Sequence, residues 1–324
     1  SLWWSLRPDC EDPRPQDLLG WPWQMDDRSA RLDADVGILL SASTRDLVYD
    51  FAYFQEEFDG WLQALLLGNY ATRVIIESEL TRPGALERHR LIVLPNCTAI
   101  SPEQKAALMA WVRTGGRLLL TAEAGTLDAD GNPSADPLLA EADVTTADPG
   151  TPTRRAVGEG EVWHLAAKLG PGAYEESQLS ANYREGGFIP PDDPTAIARI
   201  QQITAAVLGD VPYARIEGAP GGLLSWVYRA GSDGRPARAI HLLNCTGRDL
   251  QPGDAVAFDP DNPPPTPPLP ELTLLLPGAV SEALLASPEL AEPVVLEVRA
   301  GEELSTVIIP AGRFATYGVV WAYD

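Results

Sequence analysis

The sequence predicts an α/β region built on a parallel sheet, followed by an all-β region. Over residues 34–210, short apolar runs alternate with amphipathic helical stripes, the pattern of parallel strands joined by helical crossovers. After Asp210 the helical periodicity stops, and strand-like segments separated by turn residues continue to residue 324, as in a β-sandwich. The length of 324 residues suits two domains of ordinary size, and an apolar share of 45% allows each a buried core.

The strands of the first region are short and apolar throughout, which indicates burial on both faces of a sheet. These segments lie at 35–41, 72–77, 91–94, 117–121 and 161–166. In a doubly wound sheet, functional sites form beyond the carboxyl ends of the strands. Four stretches qualify for such a position: 41–44, 77–79, 95–99 and 122–126.

Three helices are predicted between these strands. Phe58, Trp61, Leu62 and Leu65 have the spacing of one helix face. Ser101-Pro102-Glu103-Gln104 has the form of a capping box with proline at the first helical position, so a second helix begins there, with Leu108, Trp111 and Val112 on its buried side. A third helix is expected from Asp193 to Gly209, while residues 123–160 are loop-like.

In the second region, six segments predict strands without an intervening helix, at 223–229, 238–244, 271–276, 294–299, 305–309 and 314–321. A proline run at 260–270 between two of them predicts a stiff, polyproline-like loop. The switch in periodicity near Asp210 sets the predicted domain boundary, with an α/β domain at 34–210 and a sandwich at 211–324.

Residues 1–33 form a separate, irregular segment. Several prolines interrupt it, yet Trp3, Trp4, Trp21 and Trp23 fall within it. Because tryptophan is costly to expose, we expect a strap or linker that packs on this chain or on an upstream domain. A platform on which sugars stack is the alternative. The first residues lack the pattern of a signal peptide, and we expect further sequence upstream.

Charge excludes several classes of partner. The net charge of −22 would repel nucleic-acid phosphates and disfavours an anionic membrane surface. No apolar run reaches the length of a membrane-spanning helix. Only two lysines accompany 30 prolines, a composition typical of a GC-rich bacterial genome. The compartment stays open between the bacterial cytoplasm and export.

Candidate catalytic groups are few. Cys97 and His164 could form a nucleophile–base pair, but Cys97 falls in a loop before the helix cap and His164 falls within a strand, where a packed histidine is usual. Glu123 is a third candidate, as an isolated carboxylate that is usually solvated. The remaining histidines, His89 and His241, do not complete a metal-binding set. No glycine-rich phosphate loop occurs, so neither a metal nor a cofactor is expected.

Residues 91–131, LIVLPNCTAISPEQKAALMAWVRTGGRLLLTAEAGTLDADG, resemble the β-galactosidase trimerisation domain, a module of the class I glutamine-amidotransferase-like superfamily. The upstream run DVGILLSASTRD is similar as well. Residues 239–247, AIHLLNCTG, resemble the sandwich that closes such glycosidases. The resemblance implies a flavodoxin-like, three-layer α/β/α domain followed by an immunoglobulin-like sandwich. It extends over roughly residues 34–324.

The resemblance also implies a function. In such glycosidases an upstream (β/α)₈ barrel carries the catalytic carboxylates, and this module helps to build the oligomer. Amidotransferases place a cysteine on the elbow after a central strand, where this chain has Ala122-Glu123-Ala124-Gly125. We therefore expect a non-catalytic structural and oligomerisation region that contacts a barrel and forms a homo-oligomer. A carbohydrate-binding module and an unconventional Cys-His amidohydrolase are the alternatives.

Overall fold

The fold was analysed in a computed structural model of the chain, which describes residues 31–47, 52–135, 138–141, 148–177, 195–232, 235–244 and 268–324. Several sequence predictions fall outside these ranges. They are the tryptophan-rich strap up to residue 30, the start of the third helix at Asp193, and most of the proline run at 260–270.

Sixteen strands occur in the described residues: β1 (Arg31–Leu32), β2 (Val36–Leu40), β3 (Thr72–Ile76), β4 (Leu91–Leu94), β5 (Arg117–Thr121), β6 (Thr153–Val157), β7 (Gly160–Leu165), β8 (Arg215–Glu217), β9 (Leu223–Ser232), β10 (Arg235–Asn244), β11 (Leu272–Pro277), β12 (Glu282–Ala286), β13 (Val294–Val295), β14 (Glu297–Arg299), β15 (Leu304–Ile309) and β16 (Tyr317–Tyr323). The α-helices are α1 (Ala42–Leu47), α2 (Glu57–Leu67), α3 (Glu77–Leu80), α4 (Pro102–Arg113), α5 (Leu138–Glu141), α6 (Gly170–Ser177) and α7 (Thr195–Leu208), and a π-helical turn covers Ala52–Glu56.

The first region is an α/β structure around one six-stranded sheet, in the order β3-β2-β4-β5-β7-β6. The first five strands of that order are parallel, and β6 adds an antiparallel edge. The predicted parallel sheet is therefore confirmed. The edge strand β6 and helix α6 were not predicted, because their polar and glycine-containing sequences carry little periodicity.

Helix α4 shows how local sequence fixes an element boundary. The Ser101 hydroxyl accepts a hydrogen bond from the Gln104 backbone N–H at 3.3 Å, and the Gln104 side chain accepts one from the Ser101 N–H at 2.9 Å. This reciprocal pair is the predicted capping box and is worth about 1 kcal/mol. Leu108 and Val112 on the predicted inner face are fully buried.

Helices α2 and α6 approach each other closely at two glycines. A methyl group added to Gly60 of α2 would lie 1.9 Å from the Gly170 carbonyl oxygen at the start of α6, and one added to Gly170 would lie 2.2 Å from the Glu57 Cα. The clashing atoms belong to the backbone of the facing helix, so a side chain at either position would push the two helices apart. Only glycine fits at these positions. The contact places α6 directly against the first turn of α2.

The second region consists of two antiparallel sheets. One has the order β1-β9-β10-β16-β12-β13 and the other β14-β15-β11-β8. Their facing side chains form one buried cluster that includes Ile240 and Val320 from the first sheet and Leu274 and Val307 from the second. The predicted strand at 294–299 is two strands, β13 and β14, which belong to different sheets on either side of the buried Leu296.

Residues 31–36 join the two regions. β1 pairs with β9 of the antiparallel sheet, and the Val36 N–H of the parallel sheet donates to the Ala71 carbonyl. Between them, the partly buried Asp35 carboxylate accepts a hydrogen bond of 2.9 Å from the Ala214 N–H, just before β8. Burial raises the pKa of Asp35 to about 6, against partial lowering by the Ala214 hydrogen bond and by Arg90.

This carboxyl should make folding stability depend on pH. Since the pKa of Asp35 is raised from 3.8 to about 6, its stabilising contribution is complete below about pH 4 and is lost as the pH rises through 6. The stability of wild type relative to Asp35→Asn should fall by about 2 to 3 kcal/mol between pH 4 and pH 7.5. Denaturant unfolding at both pH values measures this. The exposed Asp130→Asn variant should keep the wild-type profile, and an identical profile for Asp35→Asn would contradict the assignment.

Candidate functional site

The polar groups of the first region collect at the carboxyl edge of the parallel sheet. All four stretches predicted from the sequence follow strands there, after β2, β3, β4 and β5. In the order β3-β2-β4-β5, the chain direction across the sheet reverses between β2 and β4. A doubly wound sheet has its crevice at such a switch point, which makes this edge the candidate site.

Glu57, in the first turn of α2, is the central side chain of the site and is fully buried. Its carboxylate accepts three hydrogen bonds: from Trp61 Nε1 at 2.9 Å, from Thr121 Oγ1 at 2.8 Å and from the Gly170 N–H at 2.7 Å. Burial raises the pKa of Glu57, and these three donors together with Lys168 offset part of that effect. The sequence analysis did not single out Glu57 as a site residue, because nothing in its neighbouring residues shows that it is buried.

Thr121 links Glu57 to the loop after β4. Its hydroxyl donates to Glu57 and accepts a hydrogen bond of 2.9 Å from the Asn96 N–H. Asn96 adopts a left-handed backbone with φ of 47°. Its amide nitrogen donates to the Tyr53 carbonyl at 3.0 Å, and its side-chain oxygen accepts from the Glu123 N–H at 3.2 Å. The buried carboxylate and the buried amide therefore hold together the loops that form this edge.

Ala122 follows β5 and also adopts a left-handed backbone, with φ of 50°. A residue other than glycine, asparagine or aspartate is uncommon in this conformation, which carries strain of about 1 kcal/mol or more. Strand-to-helix elbows that hold a nucleophile are strained in a similar way. Here the strained position carries only a methyl group, and its carbonyl oxygen lies 2.9 Å from His164 Nε2.

Cys97 and His164 both lie near this elbow, but each contacts backbone groups. Cys97 is fully buried, and its Sγ lies 3.6 Å from the Leu39 carbonyl and 3.7 Å from the Pro95 carbonyl. Burial raises the pKa of the Cys97 thiol well above its usual range, and Glu77 and Glu57 raise it further. A nucleophilic cysteine needs a lowered pKa and access to substrate, and Cys97 has neither.

Glu123 is exposed, but it is not isolated as the sequence analysis supposed. The Tyr53 hydroxyl donates a hydrogen bond to its carboxylate. The Lys168 ammonium lies 3.5 Å from the centre of the Tyr53 ring. Burial, and then the hydrogen bond to Glu123, raise the pKa of Tyr53 to about 12, so the phenol stays protonated near neutral pH. Tyr53, Glu123 and Lys168 therefore form one group of contacting side chains at the carboxyl edge.

A second polar group lies on the β2–β3 side of the site. Glu77 accepts hydrogen bonds from the Ser41 hydroxyl at 2.7 Å and from the Ser43 N–H and hydroxyl at 3.0 Å each. The Thr44 hydroxyl oxygen accepts from the Ala99 N–H at 3.1 Å. Glu77 therefore caps the start of α1, and Thr44 fixes α1 to the loop after β4. These side chains have structural partners on the same edge.

Within the described ranges, no three His, Cys, Asp or Glu side chains gather closely enough to hold a metal ion. His89 contacts the Ala34 carbonyl through Nδ1 at 2.8 Å, and burial lowers its pKa to about 4. His241 contacts Tyr317 on the antiparallel sheet. No described helix combines the length and the apolar character needed to cross a membrane.

Comparison with known proteins finds structural similarity alone. No family model matches the sequence, and no curated protein matches it. Among solved structures, β-galactosidase from Bacillus circulans sp. alkalophilus is 11% identical with a TM-score of 0.49, and the match covers 91% of this chain and 42% of that one. The β-galactosidase of Halorubrum lacusprofundi is 13% identical (TM-score 0.45, 90% and 41% covered) and a rhamnosidase from Novosphingobium sp. PP1Y is 16% identical (TM-score 0.43, 91% and 23% covered). The chain thus spans about two fifths, or less, of the length of these proteins.

Because the Glu57 carboxylate accepts three buried hydrogen bonds, we expect its replacement by a neutral amide to lower the stability of the fold. In Glu57→Gln the amide nitrogen faces either the Gly170 N–H or the Trp61 Nε1–H, and neither of these groups can accept a hydrogen bond. We expect a loss of about 2 to 3 kcal/mol in the free energy of unfolding, measured by denaturant titration. The exposed Glu87→Gln variant is the control and should stay within about 0.5 kcal/mol of wild type. Equal stability of Glu57→Gln and wild type would show that the hydrogen bonds contribute little.

Proposed function

We propose that this chain is the non-catalytic, structural and oligomerisation region of a glycoside-hydrolase-like protein whose catalytic barrel lies outside it. The observation that carries the proposal is Ala122. The elbow after β5 has the strained left-handed backbone associated with a nucleophile, but its side chain is a methyl group. An elbow with this geometry and no nucleophilic side chain supports an architectural role over nucleophilic catalysis.

The buried groups at the same edge support the proposal. Glu57 has three hydrogen-bond donors, and the Cys97 thiol is buried with a raised pKa. A general base needs reach to a substrate proton, and a nucleophile needs reach to an electrophile. Neither side chain offers it, which argues against a Cys-His amidohydrolase.

The strand order supports the finer fold assignment. Counted along the chain, the five parallel strands have the order 2-1-3-4-5, which is that of flavodoxin-like sheets. Helix α2 packs with α6 and α7, and α3 packs with α4. We therefore propose a flavodoxin-like, amidotransferase-like domain at 34–210 and an immunoglobulin-like sandwich at 211–324, as the resemblance to the β-galactosidase trimerisation domain implies.

An assembly role requires an apolar surface, because the net charge of −22 opposes self-association. Phe54, one of the aromatic residues before α2, belongs to the core of this chain, where its ring stacks on Phe58. Ile76, 50% exposed at the end of the edge strand β3, is instead available at the candidate site. We propose that this edge of the parallel sheet contributes to contacts with a barrel or another subunit.

The absence of hydrolytic activity is the first test of the proposal. The purified chain should release no ammonia from glutamine and no phenol from aryl-glycosides above background, because the elbow carries Ala122 and the thiol is buried. Wild type and Cys97→Ala should give the same traces in both assays. Turnover that the Cys97→Ala substitution abolishes would support the Cys-His amidohydrolase instead.

Assembly is the second test. Light scattering over about a hundredfold range of concentration should show an oligomer at moderate salt, where screening weakens the repulsion of the acidic chains. Ile76→Glu should shift the equilibrium towards the monomer. Val295→Glu places the same charge at an exposed residue of the antiparallel sheet and should leave the mass unchanged. A monomeric wild type throughout, or an equal effect of both substitutions, would contradict an assembly role for this edge.

A further inference from the structure

The sheet β1-β9-β10-β16-β12-β13 is apolar on both faces. Its inner face packs on the second antiparallel sheet through residues such as Ile240 and Val320. Side chains alternate along a strand, so their sequence neighbours point outwards. The outward residues are Leu224, Trp226, Tyr228, Ala237, Ala239, His241, Leu243, Glu282, Leu284, Ala286, Tyr317, Val319, Trp321 and Tyr323.

The composition of this outer face is unusual for a sandwich. Outward residues of antiparallel sheets are commonly polar, because that face meets water. Here Glu282 and Arg235, an ion pair of 2.9 Å at one end of the face, stand among mainly aromatic and aliphatic side chains. The strand register places Trp321 between Ala239 and Leu284, and His241 between Trp226 and Val319. The face is therefore a continuous apolar strip across four strands.

The buried residues of the outer face lie mainly on β10 and β16, whereas the outward residues of β9 and Leu284 of β12 are half-buried. Trp321 is 6% exposed and Tyr323 is 4% exposed. Yet in the part of the chain that the structure describes, the apolar side chains packed against this cluster all come from strands of the same sheet, namely Tyr228, Leu284 and Tyr317. Within the sheet, the Arg235 guanidinium lies 4.2 Å from the centre of the Tyr323 ring and covers part of it, but side chains of one sheet stand mainly beside each other. We therefore expect a further segment of polypeptide to pack on the outer face of this sheet.

Two buried polar atoms point to the same conclusion. Trp321 Nε1 and His241 Nε2 are buried and have no hydrogen-bond partner among the described residues. An unsatisfied buried donor or acceptor costs about 1 to 3 kcal/mol. A covering polypeptide can supply a carbonyl oxygen to the indole and an N–H group to the imidazole, and a purely aliphatic surface cannot.

The position of β1 favours one covering segment. β1 forms the edge of this sheet beside β9, with Leu32 opposite Tyr228, which lies on the outer face. The chain before it, residues 1–30, therefore joins the sheet at the edge of this face. That segment contains Trp3, Trp4, Trp21 and Trp23. Thirty residues reach up to roughly 100 Å when extended, whereas six strands span about 24 Å, so length does not limit coverage.

We propose that the outer face of this sheet is the docking surface for residues 1–30 of the same chain, whose tryptophans pack on the strip formed by Tyr228, His241 and Trp321. The alternation of tryptophans and prolines suits a segment that lies flat and extended on a sheet without adding strands to it. The inference does not rest on the proposed function, because a catalytic chain could carry the same strap.

Hydroxyl-radical footprinting of the full-length chain, read by mass spectrometry, tests the docking. In the variant with Trp3, Trp4, Trp21 and Trp23 replaced by Ala, oxidation of Trp321 and Tyr323 should rise several-fold. Oxidation of Trp61, in the core of the parallel sheet, should not change and serves as the check on folding. A matched control replaces Pro8, Pro13, Pro15 and Pro22 by Ala, leaves the tryptophans in place, and should keep the wild-type footprint.

Two results would overturn the proposal. One is an unchanged footprint at Trp321 and Tyr323 in the four-alanine variant, which would mean that another segment covers the face. The other is a wild-type footprint at these residues that rises on dilution, which would assign the cover to a second copy of the chain.

A cross-linking experiment identifies the covering segment while at least three of the four tryptophans stay in place. Tyr228→Cys is combined in turn with Trp21→Cys, Trp23→Cys and Met25→Cys, in a background with Cys10 and Cys245 replaced by Ser. A short bis-maleimide should link the two thiols within one chain. Links that form only between chains, or no link at any of the three positions, would contradict docking of residues 1–30 on their own sheet.

Discussion

The described fold depends on one buried carboxylate. Glu57 begins helix α2, and its three hydrogen-bond donors come from α2 itself, from β5 and from the start of α6. Burying an ion without partners would cost several kcal/mol, so the structure must keep all three donors in place. Through Thr121 the same network reaches Asn96 and fixes the loops that form the carboxyl edge. Gly60 and Gly170 allow the close helix contact that the network requires.

The same network holds the carboxyl edge together. A catalytic carboxylate must reach the reacting atoms of its substrate, whereas the partners of Glu57 are a tryptophan, a threonine and a backbone amide inside the core. The strained backbone at Ala122 is held in part by the contact of its carbonyl oxygen with His164. The polar groups around it, including Glu77 and Thr44, hold elements together.

Local patterns made much of the fold predictable, and gaps in those patterns account for what was missed. β4 and β5 were predicted at their observed bounds because fully buried strands are uniformly apolar, and the Ser101 capping box fixed the start of α4. β6 was missed because an edge strand with exposed arginines has no apolar run, and β12 because Glu282–Ala286 has no β-branched or aromatic residue that would favour a strand. The segment 294–299 was predicted as one strand, since the periodicity of apolar residues does not show that the chain passes from one sheet to the other between β13 and β14.

The sequence by itself determined the α/β-then-β order of the chain, the main strands and helices, and the absence of a nucleophile at Ala122, because each of these depends on neighbouring residues. Only the tertiary structure decided the role of Glu57 and the environment of Cys97, because their partners lie far along the chain, from Leu39 to Gly170. It also decided that β9, β10 and β16 are apolar on both faces. Alternating burial is recognisable in a sequence only when one face is polar, and here mainly apolar residues on both faces of β10 and β16 remove that contrast.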